Sequence, residues 1–249
     1  MNSLIKLEIT RALRNKKFLF FSVVYPSVLF LLIAGSSDSS TKVDGTGLNL
    51  AAFMMVSMVS MASFGALTAV LMGNSERIAK ERESGWVRQL RLTTLPGRGY
   101  VLAKTASAAV VSLPSIVVVF VVAAVTKGVR LDAWQWLALV GAIWAGSLCF
   151  AALGVAIGYL ATGDAVRPIT MIVYFGLSIL GGLWFPSAGF PDWLRNIASW
   201  LPTHAYAALG QAIELGNAPH AKDVFLIVAY SLVFAGGAAW LYRKDTLKA

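Results

Sequence analysis

The residues able to do chemistry in this 249-residue chain are few and scattered. His204 and His220 are the two histidines, and Glu214 follows the first by ten positions. That spacing matches no recurrent metal-ligand pattern. His204, behind Pro202 and Thr203, reads as a polar interfacial residue rather than a catalytic base. Lys104-Thr105 comes nearest to a phosphate-binding loop, but such a loop needs glycines at 98 and 103, where the chain has Arg98 and Ala103. A lysine that lays its stem along a span and its ammonium at the interface accounts for the pair. Cys149 is the sole cysteine, so no disulfide framework or cysteine-built metal site is available within one chain. The chain carries no ATPase motif, and no metal or cofactor is expected in it.

Composition explains the scarcity. The chain is 57% hydrophobic and only 13% charged, with a mean hydropathy of +0.70. Soluble domains carry roughly 25% charged residues. A net charge of +9 would suit a nucleic-acid binder. Here the basic residues flank long apolar runs instead of forming one face, so no nucleic-acid partner is expected.

Six stretches lack Asp, Glu, Lys and Arg: residues 18–34, 50–73, 105–125, 133–160, 169–185 and 224–242. Each approaches the length of about 20 residues that a helix needs to cross the hydrocarbon. Sixteen of the 21 Lys and Arg residues fall on one side of this plan, at the N-terminus, after spans two and four, and after span six. Lys42, Lys127, Arg130, Arg195 and Lys222 fall on the other. The positive-inside rule then places both termini in the cytoplasm. Span one, ending in Ala34-Gly35-Ser36, also resembles a cleavable signal peptide, which would leave five spans.

Three segments outside the spans are distinctive. Residues 2–17 read as an amphipathic surface helix with Ile5, Ile9, Ala12 and Leu13 on one arc, or simply as a basic anchor. Residues 74–104 open with a helix capped by Ser75 and carrying an Arg77–Glu81 pair, interrupted at Gly85 and ended by Pro96-Gly97. Trp86, Val87, Leu90 and Leu92 among its charges suggest a docking element, or anchors dipping into the interface. Residues 186–223 hold a short helix capped by Asp192, with Trp193, Leu194, Ile197, Trp200 and Leu201 as an apolar stripe. Gly181-Gly182 and Pro186 before it suggest that span five ends in a broken segment.

Spans without carboxylates or histidines argue against proton or sodium coupling, although backbone carbonyls can still hold sodium. The layout resembles the ABC-2 type transporter permeases over nearly the whole chain. Glu81-Arg82-Glu83-Ser84-Gly85, with Leu90, Pro96, Arg98 and Lys104, is similar to the family's charged cytoplasmic loop. Gly181-Gly182-Leu183-Trp184-Phe185-Pro186, Pro191-Asp192-Trp193-Leu194 and Leu201-Pro202 are similar to its external proline-rich pattern. Trp86 and Val87 depart from the usual Thr and acidic residue, which implies a docking surface that differs from that of a typical member.

The resemblance implies an all-α polytopic fold in a prokaryotic cell membrane. It also implies a separate ABC ATPase subunit carrying ATP and magnesium, and a second permease protomer, identical or paralogous. Glu76, Lys80, Glu81, Glu83, Gly85, Trp86 and Leu90 would couple to the ATPase. Pro186, Pro191, Trp193, Trp200 and Pro202 would form an external re-entrant gate. Ser57, Ser60, Phe64, Thr68, Tyr174 and Ser178 are candidates for the substrate path, with Gly65 and Ser63 nearby; ordinary small-residue helix packing is the alternative for the small ones. The apolar spans favour a hydrophobic drug-like or lipid-like substrate for an exporter, with a glycan as alternative. A polytopic enzyme or scaffold, and an ion-coupled carrier, are the readings from other classes.

Overall fold

The computed structural model describes residues 2–35, 50–86, 97–161 and 163–247. Those residues are overwhelmingly helical and form no strand. Helix α1 (Asn2–Arg14) precedes α2 (Lys16–Gly35). Helix α3 runs from Leu50–Leu67 through a π-helical turn, Thr68–Met72, into Gly73–Glu83. Then come α4 (Gly97–Lys127), α5 (Ala133–Leu160) and α6 (Val166–Leu180). Two short helices, α7 (Asp192–Ala198) and α8 (Pro202–Glu214), lead to α9 (Ala221–Leu247). Six of these helices, α2 to α6 and α9, are long and apolar enough to cross a membrane.

The alternation of ends follows from contacts. Glu8 of α1, Lys104 of α4, Glu81 of α3, Tyr159 of α5 and Asp245 of α9 meet at one end through ion pairs and hydrogen bonds. At the opposite end Gly35 of α2 lies beside Lys127 of α4, and Gln135 of α5 reaches the last turn of α8. Both terminal helices therefore share the charged end.

Helix α3 is the central post. Its apolar window is 83% buried, against 28%, 22% and 17% for α2, α6 and α9. Large side chains on those three, including Leu32, Ile172, Leu232 and Val233, remain exposed and suit lipid or a second chain. Glycines let α5 close on α3. A Cβ at Gly154 would stand 2.8 Å from the Leu71 carbonyl oxygen, and one at Gly158 2.9 Å from Ile78 Cβ. Gly65 likewise meets Pro26 and the Ser22 carbonyl of α2 at 3.0 Å, so close packing is its role.

Several expectations need correction. Residues 2–17 are not one helix: α1 stops at Arg14, and the Asn15 side chain accepts from the Phe18 amide at 3.2 Å, capping α2. Leu13 is exposed while Ala12 turns inward, so the expected apolar arc is split. Ser75 is no cap, because α3 runs unbroken past it and its hydroxyl donates to the Leu71 carbonyl at 2.9 Å. The helix expected up to Glu83 is present, but as a continuation of span two rather than a separate capped element; Val87, Leu90, Leu92 and Pro96 lie outside the described residues. Pro191, not Asp192, is the N-cap of α7. Span five ends at Leu180 rather than 185. Gly182, at φ +82°, adopts the left-handed conformation that glycine accommodates best. Around it the Gly182 amide donates to Ile179 and the Leu183 amide to Ser178, the paired bonds of a Schellman stop.

Two outcomes test this architecture. Gly154→Ala should lower stability by about 1–3 kcal/mol, since backbone oxygens cannot give way, whereas Gly141→Ala, with nothing within 4 Å, should be neutral or slightly stabilising; thermal unfolding in detergent compares them. On a Cys149→Ser background, an impermeant maleimide should label His220→Cys in intact cells and Lys6→Cys only after permeabilisation. The reverse pattern would invert the orientation read from the charges.

Candidate functional site

The charged end is built around a buried lysine. Lys104, at 1% exposure, places Nζ 2.7 Å from Glu8 Oε2 and 2.5 Å from Glu81 Oε1. Glu8 is equally buried, and Arg77 and Arg11 stand 3.9 and 4.0 Å from its carboxylate. Lys104 is thus no snorkelling residue, and Glu81 is engaged with α4 as well as belonging to the expected coupling set. A buried ammonium needs such partners, because desolvation is costly unless opposite charge and hydrogen bonds replace water.

Arg82 makes the second tie. Its Nη1 donates to the carbonyls of Gly158, Tyr159 and Ala161 at 3.0, 3.2 and 3.4 Å, supplying a donor to the last turn of α5 and its C-cap. Its Nη2 reaches Asp245 Oδ1 of α9 at 2.5 Å. The tip of α3 is thereby fastened to α1, α4, α5 and α9.

The expected coupling residues divide by environment. Glu76, half-buried, accepts from the exposed Arg167 Nε at 3.3 Å. The Trp86 ring lies under the Arg11 guanidinium at 5.5 Å, so it packs on α1. Lys80 and Glu83 are exposed, and Gly85 turns at φ +72° with open space around it. Leu90 is outside the described residues.

Further along α3 a cavity of about 500 Å³ opens between α2, α3 and α6. Of the expected path residues, Phe64, Thr68 and Tyr174 line it. The Thr68 and Tyr174 hydroxyls are 2.5 Å apart, and the Phe64 ring lies 5.1 Å from that of Tyr174. Ser57 and Ser60 instead line a small cleft with Trp184 and Pro186, and Ser178 is wholly buried outside both. Two π-helical turns, Phe20–Val24 in α2 and Thr68–Met72 in α3, flank the cavity. Such turns recur at functional sites because they re-aim side chains within a helix.

The proline-rich segment lies toward the end opposite the charges. Trp193, Ile197 and Trp200 point out of the bundle at 65%, 54% and 62% exposure, while Ala198 faces in. Pro186 borders the cleft, Pro191 and Pro202 start α7 and α8, and Thr203 Oγ1 donates to the Leu177 carbonyl at 2.6 Å. Glu214 is not a free external acid: it is 6% exposed at the end of α8, and burial pushes its carboxyl up to about 8. Burial likewise lowers His204, whose Nε2 lies 3.4 Å from Ser187 Oγ. Ten helical residues, about 15 Å of rise, separate His204 from Glu214, so the two form no joint site.

The family description "ABC-2 family transporter protein" matches residues 36–241. The chain belongs to the ABC-2 transporter family. It is also 28% identical over 240 residues to "Putative transport permease YvfS" of Bacillus subtilis (strain 168), an alignment covering 96% of this chain and 95% of that protein. With its six apolar helices the chain is a multi-pass membrane protein of a transporter permease family, and ABC-2 membership implies an ATPase partner in general.

Within this ABC-2 chain, sequence reading gave Glu8 no role at the charged end, placed Lys104 and Arg82 only in the family-like loop or at the interface, and assigned no role at the cavity to Lys17, Arg167 or Phe175. One signal was present: Glu8 is the sole acid among the basic residues of positions 2–17. Lys104→Met should destabilise the fold by about 3–5 kcal/mol, since it leaves Glu8 and Glu81 facing without their shared cation. Adding Glu8→Leu should recover a large part of that loss in thermal unfolding; no recovery would show that the lysine acts by another route.

Proposed function

We propose that the chain is the permease subunit of an ATP-driven exporter in a prokaryotic cell membrane. Two protomers, identical or paralogous, would pair, each resting on a separate ATPase subunit that carries ATP and magnesium. The observation that carries the reading is the continuity of α3. Its 32 residues from Ala52 to Glu83 span about 48 Å at 1.5 Å per residue, well beyond the roughly 30 Å of hydrocarbon. One continuous helical element therefore joins the cavity at Phe64 and Thr68 to the exposed Lys80 and Glu83.

Closure of an ATPase against Lys80, Glu83, Gly85 and Leu90 would tilt that lever. Glu76, Glu81 and Trp86 would pass the motion to α6, α4 and α1, through Arg167, Lys104 and Arg11. The ion pairs set the cost of letting α3 move alone, so the foot of the bundle would shift as a unit. The segment from Pro186 to Pro202, with Trp193 and Trp200 outward, would close the outer mouth against lipid or the second protomer. The aromatic lining supports a lipid-like or drug-like substrate; a glycan stacking on the same rings is the alternative.

Co-expression with an ATPase encoded beside it tests the assignment. Glu83→Arg should weaken co-purification, and Gly85→Pro, which cannot hold a positive φ, should reduce transport-stimulated ATP hydrolysis to the basal rate. Unchanged binding and hydrolysis in both variants would make the coupling assignment wrong.

A further inference from the structure

The cavity beside α3 has two chemically different ends. Its wall is aromatic: Phe21, Tyr25, Phe64, Tyr174 and Phe175 line it. Trp184 backs Phe64 edge-on at 5.4 Å. Its mouth is cationic: Lys17, Arg77 and Arg167 border it, with Glu76 the one carboxylate among the described lining residues. Arg77 stacks over Phe18 at 5.2 Å, which holds its guanidinium at the rim. The Arg167–Glu76 pair is solvent-exposed at 72% and 39%, and exposed pairs are weak enough to open for a competing anion.

We infer that this cavity binds a single-chain amphiphile with an anionic head, the head at Lys17, Arg77 and Arg167 and the apolar chain along the aromatic wall toward Thr68 and Tyr174. Charge selects the head, because a guanidinium fork and an ammonium prefer carboxylate, phosphate or sulfate to a neutral or cationic group. Size selects the tail. About 500 Å³ lies in the roughly 300–1,000 Å³ range of small-ligand pockets, which suits one chain rather than a two-chain bilayer lipid. Position selects the route of entry, since the mouth lies at the charged end of the bundle. The preference for a hydrophobic drug-like or lipid-like substrate, drawn from the apolar spans, took no account of the three cations that line this mouth. As a statement about transported cargo, this inference rests on the exporter reading; as a binding site it does not.

Binding is measured on the purified chain alone, in phosphatidylcholine nanodiscs, with radiolabelled oleoyl lysophosphatidic acid as probe. One site per chain is expected, with lysophosphatidylcholine of the same tail weaker by about tenfold or more. Lys17→Ala with Arg167→Ala, both at exposed side chains, should weaken the lysophosphatidic acid by a similar factor and leave lysophosphatidylcholine unchanged. Phe175→Ala should weaken both lysolipids, and inorganic phosphate should fail to displace the probe. Equal affinity for the two lysolipids, indifference to the double variant, displacement by phosphate alone, or equal competition by two-chain phosphatidylglycerol would each overturn the inference. Because no ATPase is present, failure here is distinguishable from failure of coupled hydrolysis in the assembled complex.

Discussion

Three departures from regular helix among the described residues answer to one rule: in hydrocarbon a backbone amide or carbonyl must find its partner within the protein. The π-helical turn at Thr68–Met72 meets it with the Thr68 hydroxyl, which donates to the Phe64 carbonyl at 2.8 Å and also touches Tyr174. The stop after Leu180 meets it with Gly182 and paired backbone bonds. At the last turn of α8, Gln135 of α5 donates to the carbonyls of Ile213 and Glu214 at 3.3 and 3.1 Å. These irregularities border the cavity or shape the proline-rich segment, so the places where the helix pattern yields are also the candidate working parts.

The same scarcity of water governs charge. Coulomb attraction strengthens as the effective dielectric falls, but so does the penalty for an unpaired ion. Lys104 therefore collects Glu8 and Glu81, and Arg82 spreads over three carbonyls and Asp245. The network ties α1, α3, α4, α5 and α9 together at one end of the bundle, with Glu81 and Arg82 near the tip of α3.

What the sequence revealed follows from range. The six apolar stretches were legible because hydropathy is a local property of about 20 residues. The Gly181-Gly182 break was legible for the same reason, although its place was set too late. Lys104 was misread because its burial depends on residue 8, 96 positions away, and residue 81, 23 positions away. Thr68 and Tyr174 were both candidates for the path, but nothing local could announce a contact across 106 positions. Ser75 illustrates the opposite error. A serine before a charged run is a sound cap in water, yet here tertiary burial carried the helix through it, and its hydroxyl bonds to Leu71 and receives Thr170 from α6 at 3.0 Å.

The cavity and the charged end are joined by the order of residues along one helix. Phe64 and Thr68 face the aromatic wall, Arg77 stands at the cationic mouth, and Glu81 and Arg82 hold the neighbouring helices. Arg77 belongs to both places, since it lies at the rim and also 3.9 Å from Glu8. An anion entering the mouth would compete with Glu8 for that guanidinium and so weaken one strand of the network around Lys104. Occupancy and the attachment of α3 to α1 are then linked through a single side chain. The linkage runs both ways, because any motion that draws Arg77 toward Glu8 must also withdraw positive charge from the mouth.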